Sequence, residues 1–131
     1  MEIKQKRMTK QKKLIMDTLA STTCHPTADW IYQSVRKNIA DISLGTVYRN
    51  LQVLKEEGKI QELNYGKNQS RYDGNPQLHY HFVCESCGCV LDFNLDNKAM
   101  LSLILPAAPG SVHTHRLEVY GICQDCLKKH F

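Results

Sequence analysis

The chain has 131 residues, a formal net charge of +4 and six cysteines, a length that fits one ordinary domain or two small ones. No N-terminal run is apolar enough for a signal peptide and no stretch approaches a membrane span, so a cytoplasmic protein is expected. In that compartment six cysteines argue against a disulfide framework and for metal or redox chemistry. The charge is unevenly placed. Residues 1–72 carry thirteen Lys and Arg against seven Asp and Glu, and residues 73–131 carry four against six. A basic half joined to a mildly acidic half suggests a polyanion-binding module fused to something else, although a solvated basic surface explains the charge alone equally well.

The first half reads as helical. "TKQKKLIMDTLAST" places Leu14, Ile15 and Leu19 at helix-compatible spacing behind Thr9, a candidate N-cap. "CHPTADWIYQSVRKN" offers Thr27 as the next cap and puts Trp30, Ile31 and Val35 on one stripe. In "ISLGTVYRNLQVLKEEGKI", Ser43 is the candidate cap, Val47, Leu51 and Leu54 repeat with a helical period, and Gly58 stands where a C′ residue belongs. The period then changes. Ile60–Leu63 and Ser70–Tyr72 read as two short strands around the turn "YGKN".

Three short helices and a hairpin are the order of a winged helix-turn-helix, whose third helix enters the major groove while the hairpin touches the backbone. Ser43, Thr46, Tyr48, Arg49 and Asn50, with Gln52 beyond them, can then face DNA, and Lys67 sits at the wing tip. A helical bundle with an ordinary polar face is the competing reading, and the basic bias favours DNA. "GNPQ", residues 74–77, is the turn-rich break. The expected division is a winged-helix domain over 1–72, a hinge over 73–78 and a small α/β module over 79–131, an α+β protein overall. In the last part "HYHFVCES", "CVLDFNL" and "HRLEVYGIC" alternate like strands, and "NKAMLSLIL" resembles a short helix.

Two C-x-x-C pairs, Cys84/Cys87 and Cys123/Cys126, can each present two thiolates from one tight turn. Four soft thiolates with no open position suit a structural Zn²⁺. A redox role would need a βαβ context that is not apparent. A mixed shell with His113 and His115 would orphan the second pair. Cys24 and Cys89 lie outside both pairs and read as small buried side chains. His79 and His81 are two apart, so on a strand they face one side. Asp92 follows on the next apparent strand, Asp73 sits at the boundary, and His25 lies in the helical half. A turn cap, a surface carboxylate and a local hydrogen bond would account for these singly, and the residue pattern leaves a joint metal site open.

The segments "HPTADWIY", "SLGTVYRNLQVLKEEGKI", "RYD", "HYHFVCESCG", "LDF" and "HRLEVYGICQDC", in this order and spacing, resemble the Fur (ferric uptake regulator) family of bacterial metal-dependent repressors along nearly the whole chain. Within the family the chain looks most like the peroxide-sensing repressors. The resemblance implies that Cys84, Cys87, Cys123 and Cys126 hold structural zinc. It implies a regulatory Fe²⁺ or Mn²⁺ site made by His25, Asp73, His79, His81 and Asp92, and a homodimer built from residues 79–131. Iron-sensing relatives usually carry glutamate where this chain has Asp73 and Asp92, which favours the peroxide sensor. Leu78, Tyr80 and Ala99 occupy positions where the ligands of a third metal site would be expected.

The implied mechanism is a stoichiometric sensor, not an enzyme. The regulatory metal ties the two lobes together and fits the dimer to a palindromic operator. Peroxide acting through Fe²⁺ oxidises His25 or His79 and releases the DNA, whereas Mn²⁺ binds without this chemistry. Two alternatives remain: an iron, manganese or zinc homeostasis repressor of the same family, and a thiol redox or metal-dependent enzyme using Cys24 or Cys89.

Overall fold

The computed structural model describes residues 8–65, 69–77 and 79–129. It divides into two compact units, the first ending at Pro76 and the second beginning at Gln77.

In the first unit each helix starts on a side-chain oxygen. Thr9 accepts from the Lys12 amide to open α1, Lys10–Ala20. Thr27 accepts from Trp30 to open α2, Ala28–Val35, and Ser43 from Thr46 to open α3, Leu44–Glu56. Each cap satisfies a backbone donor that the helix itself cannot. Gly58, at φ +71, follows the end of α3 in the left-handed conformation that glycine adopts without a Cβ penalty. The apolar stripes of the three helices meet in one core, with Ile15, Ile31, Val35, Val47, Leu51 and Leu54 almost fully buried. A buried ion pair, Lys12 Nζ to Glu57 Oε1 at 2.7 Å, ties the start of α1 to the end of α3.

β1, Gln61–Leu63, pairs antiparallel with β2, Arg71–Asp73, in the register Gln61↔Asp73 and Leu63↔Arg71. Both strands begin one residue later than the sequence pattern suggested. Ile60 packs into the helical core instead of joining the ladder. The ladder continues to Asp73, and β2 has a second neighbour on its other edge. Thr27 bridges to Arg71, and the Tyr72 amide donates to the Pro26 carbonyl at 2.9 Å. The segment before α2 is thereby zipped to the strand that ends in Asp73.

The second unit is a three-stranded sheet in the order β4-β3-β5. β3, Tyr80–Cys84, pairs antiparallel with β4, Val90–Phe93, and parallel with β5, Glu118–Gly121. A parallel neighbour needs a crossover, and α4, Asn97–Ala107, lies within it. No residue of α4 is buried, and its Leu103 and Leu105 stand in solvent. A final helix, α5, Gln124–Lys129, was not anticipated: six residues are too few for a helical period to register in the sequence. Among the described residues no helix is long and apolar enough to cross a membrane.

Candidate metal centres and nucleic-acid face

The four paired cysteines converge within the second unit. Cys84 ends β3, and its carbonyl accepts from the Gly88 amide at 2.9 Å, closing a turn with Gly88 at φ +77. That turn presents Cys87. Cys123 immediately precedes α5, and Cys126 lies one turn into it. The sulfurs of Cys84 and Cys126 are 3.8 Å apart, those of Cys87 and Cys123 3.9 Å, and all four lie within 4.8 Å of one another. A tetrahedral shell with metal–sulfur bonds of ~2.3 Å has edges of about 3.8 Å. The cluster therefore has the size of a Zn²⁺ coordination sphere.

Its electrostatics agree. Burial pushes the Cys84 thiol up, but the amides of Cys87, Cys123 and Ser86 directed at its sulfur outweigh burial and bring it down to about 6. The Ser86 hydroxyl pulls the Cys126 thiol down, yet hydrogen bonding with Cys123 and burial carry it up to about 11. Sulfurs this close cannot all ionise without a cation among them. Ser86, to which the sequence assigned no role, thus acts on both pairs. Cys89 packs beside the cluster and its carbonyl accepts from the Cys84 amide at 2.9 Å, but its sulfur is not one of the four.

The second unit also gathers nitrogen and oxygen donors. Register places His81 on β3 directly opposite Asp92 on β4. His79, two residues before His81, falls on the same face, and the two rings stand 4.5 Å apart. His79 Nε2 is 2.9 Å and His81 Nε2 3.8 Å from the same oxygen, Asp92 Oδ1. Donors in a six-coordinate shell with bonds of ~2.1 Å lie about 3 Å apart. Two imidazoles and one carboxylate with room for further donors are the set that non-haem Fe²⁺ favours. His81 is buried, while Asp92 is half exposed. Beside them Tyr80, buried on the opposite face of β3, meets His115 Nε2 through its hydroxyl at 2.5 Å. Leu78 lies outside the described residues.

In the first unit His25 and Asp73 form a second, smaller donor group. Both are buried, and His25 Nε2 is 3.2 Å from Asp73 Oδ2. Asp73 Oδ1 also accepts from the Asn75 amide at 2.9 Å, which fixes the carboxylate. Cys24, next to His25, has its sulfur 3.4 Å from the Arg71 guanidinium.

On α3, the residues expected to face DNA divide. Ser43, Tyr48 and Arg49 are exposed. Arg49 donates to Thr46 Oγ1 at 2.9 Å, and Ser43 Oγ lies 2.9 Å from the same hydroxyl. Asn50 instead donates to the Thr46 carbonyl and to Gln11 Oε1 at 3.3 Å, linking α3 to α1. Lys67 lies outside the described residues.

A winged helix on a chain that also carries a closed thiolate cluster and a histidine–carboxylate set defines a metal-responsive DNA-binding regulator. The ferric uptake regulator family model matches residues 4–120, and the chain belongs to that family. It is 40% identical over 124 residues to the peroxide operon regulator of Bacillus subtilis, covering 94% of this chain and 86% of that one. It is 42% identical over 123 residues to the peroxide-responsive repressor PerR of Staphylococcus epidermidis, covering 92% and 81%. The solved Campylobacter jejuni peroxide stress regulator superposes with a TM-score of 0.73 at 28% identity, covering 88% of each chain. Membership implies operator DNA binding and dimerisation, and carries a Cys₄ zinc site with a His/Asp regulatory site.

Proposed function

We propose that this chain is a cytoplasmic, metal-dependent transcriptional repressor that senses peroxide, with the homeostasis repressor of the same family as the second reading. The observation that carries it is the sorting of donors: thiolates in one closed group, and imidazoles with carboxylates elsewhere, on a chain about two-fifths identical to peroxide regulators. Cys84, Cys87, Cys123 and Cys126 take Zn²⁺ as a structural staple. His25 and Asp73 from one unit, and His79, His81 and Asp92 from the other, are the regulatory ligands for Fe²⁺ or Mn²⁺. The domains follow as 1–72 and 79–131, with 73–78 as the hinge. Aspartate at both carboxylate positions supports the peroxide reading over iron homeostasis.

The partner is a second copy of the chain, then a palindromic operator. Leu95, Leu103, Leu105, Tyr120, Ile122 and Leu127 of the second unit are exposed and apolar, as a face covered in a homodimer would be. Ser43, Thr46, Tyr48 and Arg49 read the operator, Asn50 holds the reading helix against α1, and Lys67 serves the wing. Half-site spacing is a matter of geometry, so ligands from both units acting on one cation would set the distance between reading helices. Bound Fe²⁺ supplies the reduction of peroxide that Mn²⁺ does not. With that ion bound, His25 or His79 would take up one oxygen atom from peroxide, water being the other product, lose basicity as a ligand and release the operator. The protein is consumed by its signal and turns over no substrate.

The test compares Fe²⁺- and Mn²⁺-loaded protein after a low dose of peroxide. Peptide mass spectrometry is expected to find one added oxygen on His25 or His79 with Fe²⁺ only. Unmodified histidines in both samples, at confirmed occupancy, would leave the homeostasis reading.

A further inference from the structure

Arg71, in the segment "RYD", enters none of the roles above, yet it bonds directly to His25, a proposed ligand. Pro26 biases His25 towards extended backbone and has no amide to donate. Pro26 itself can therefore attach to β2 only through its carbonyl. That carbonyl is taken in the ordinary way, Tyr72 N to Pro26 O at 2.9 Å. The next, the carbonyl of His25, is taken by a side chain: Arg71 donates to it through one guanidinium nitrogen at 2.8 Å. The same nitrogen lies 3.4 Å from Cys24 Sγ. Arg71 and Asp73 are two apart on β2 and so project from the same face. The guanidinium thus holds the backbone of His25 while Asp73 meets its imidazole.

We propose that Arg71 is a positioning residue for the regulatory metal: its charge-assisted bond fixes His25 against Asp73 before the ion arrives. A hydrogen bond from a charged donor is about twice as strong as one between neutral groups, and ligands ordered in advance do not lose that freedom on binding. The inference rests on His25 and Asp73 being ligands. Outer partners of this kind alter metal affinity by about ten- to a hundredfold.

The test uses the full-length zinc-loaded protein and two variants, Arg71→Gln and Arg71→Lys. Three quantities are read: the melting midpoint without regulatory metal, the affinity for Mn²⁺, and the ratio of oxygen added at His25 to that at His79 after Fe²⁺ and peroxide. In Arg71→Gln, Mn²⁺ affinity is expected to fall about ten- to a hundredfold, and the His25 to His79 ratio to fall, at an unchanged melting midpoint. Arg71→Lys, which keeps a cationic donor, should recover most of both. Affinity and oxidation ratio unchanged in Arg71→Gln would overturn the proposal. So would equal losses in both variants alongside a lower melting midpoint, which would make Arg71 a general support of the wing. If the parent protein itself binds no Mn²⁺, the ligand assignment falls first and takes this inference with it.

Discussion

Asp92 shows what one residue contributes here. A single oxygen of an otherwise exposed carboxylate faces two imidazole nitrogens, at 2.9 and 3.8 Å. A cation placed among them would satisfy all three at once. The cysteines act differently, because the second unit has little else to hold it. Besides cysteine, only Tyr80, Val83 and Val90 are buried apolar side chains there among the described residues. Zinc binding is then folding energy, typically about 10–16 kcal/mol for such sites. Cys126→Ser is expected to abolish zinc content and melt the sheet of the second unit, measured by metal analysis and circular dichroism. Cys89→Ser should keep its zinc; loss of the ion there would show that the set of four is misassigned. At this scale the sequence was most legible for cysteine, whose paired spacing dictates a shared site. It was least legible for Arg71 and Ser86, ordinary polar residues whose partners lie 46 residues away or on the far cysteine pair.

Helices and strands were legible where local chemistry decides them. Thr9, Thr27, Ser43 and Gly58 mark helix ends because capping and left-handed backbone need only neighbours in sequence. The hairpin was displaced by one residue, because Ile60 packs into the helical core instead of the ladder and Gln61 pairs with Asp73. Two predictions belong to these elements. Hydrogen bonding from Lys12 lowers the Glu57 carboxyl below its ordinary 4.5, more than burial raises it. An acid depressed in the folded state stabilises above its unfolded value and loses that contribution as pH falls through the folded one. The stability difference between the parent and Glu57→Gln should therefore shrink below about pH 4.5 in denaturant titrations. A difference constant with pH would contradict the pairing. On α3, Arg49→Ala should weaken operator binding and reduce the salt-dependence slope by about 1, as for one lost phosphate contact. An unchanged slope would remove Arg49 from the DNA face.

For the whole molecule, the break read at "GNPQ", residues 74–77, contains the division between the two compact units, Pro76 to Gln77. Which ligands act together was not readable from spacing, since His25 and Asp73 are 48 positions apart and become neighbours only through the zipped edge of β2. Metal-dependent repression requires metal and operator to favour one state. Such coupling is reciprocal and typically about 1–3 kcal/mol, or roughly 5–150-fold in affinity. The direct measurement is operator affinity, with and without Mn²⁺, for the parent protein and for His25→Ala at full zinc occupancy. Mn²⁺ should tighten the parent within that range and leave His25→Ala almost unaffected. Equal tightening of both proteins would mean that no ion joins the two lobes through His25.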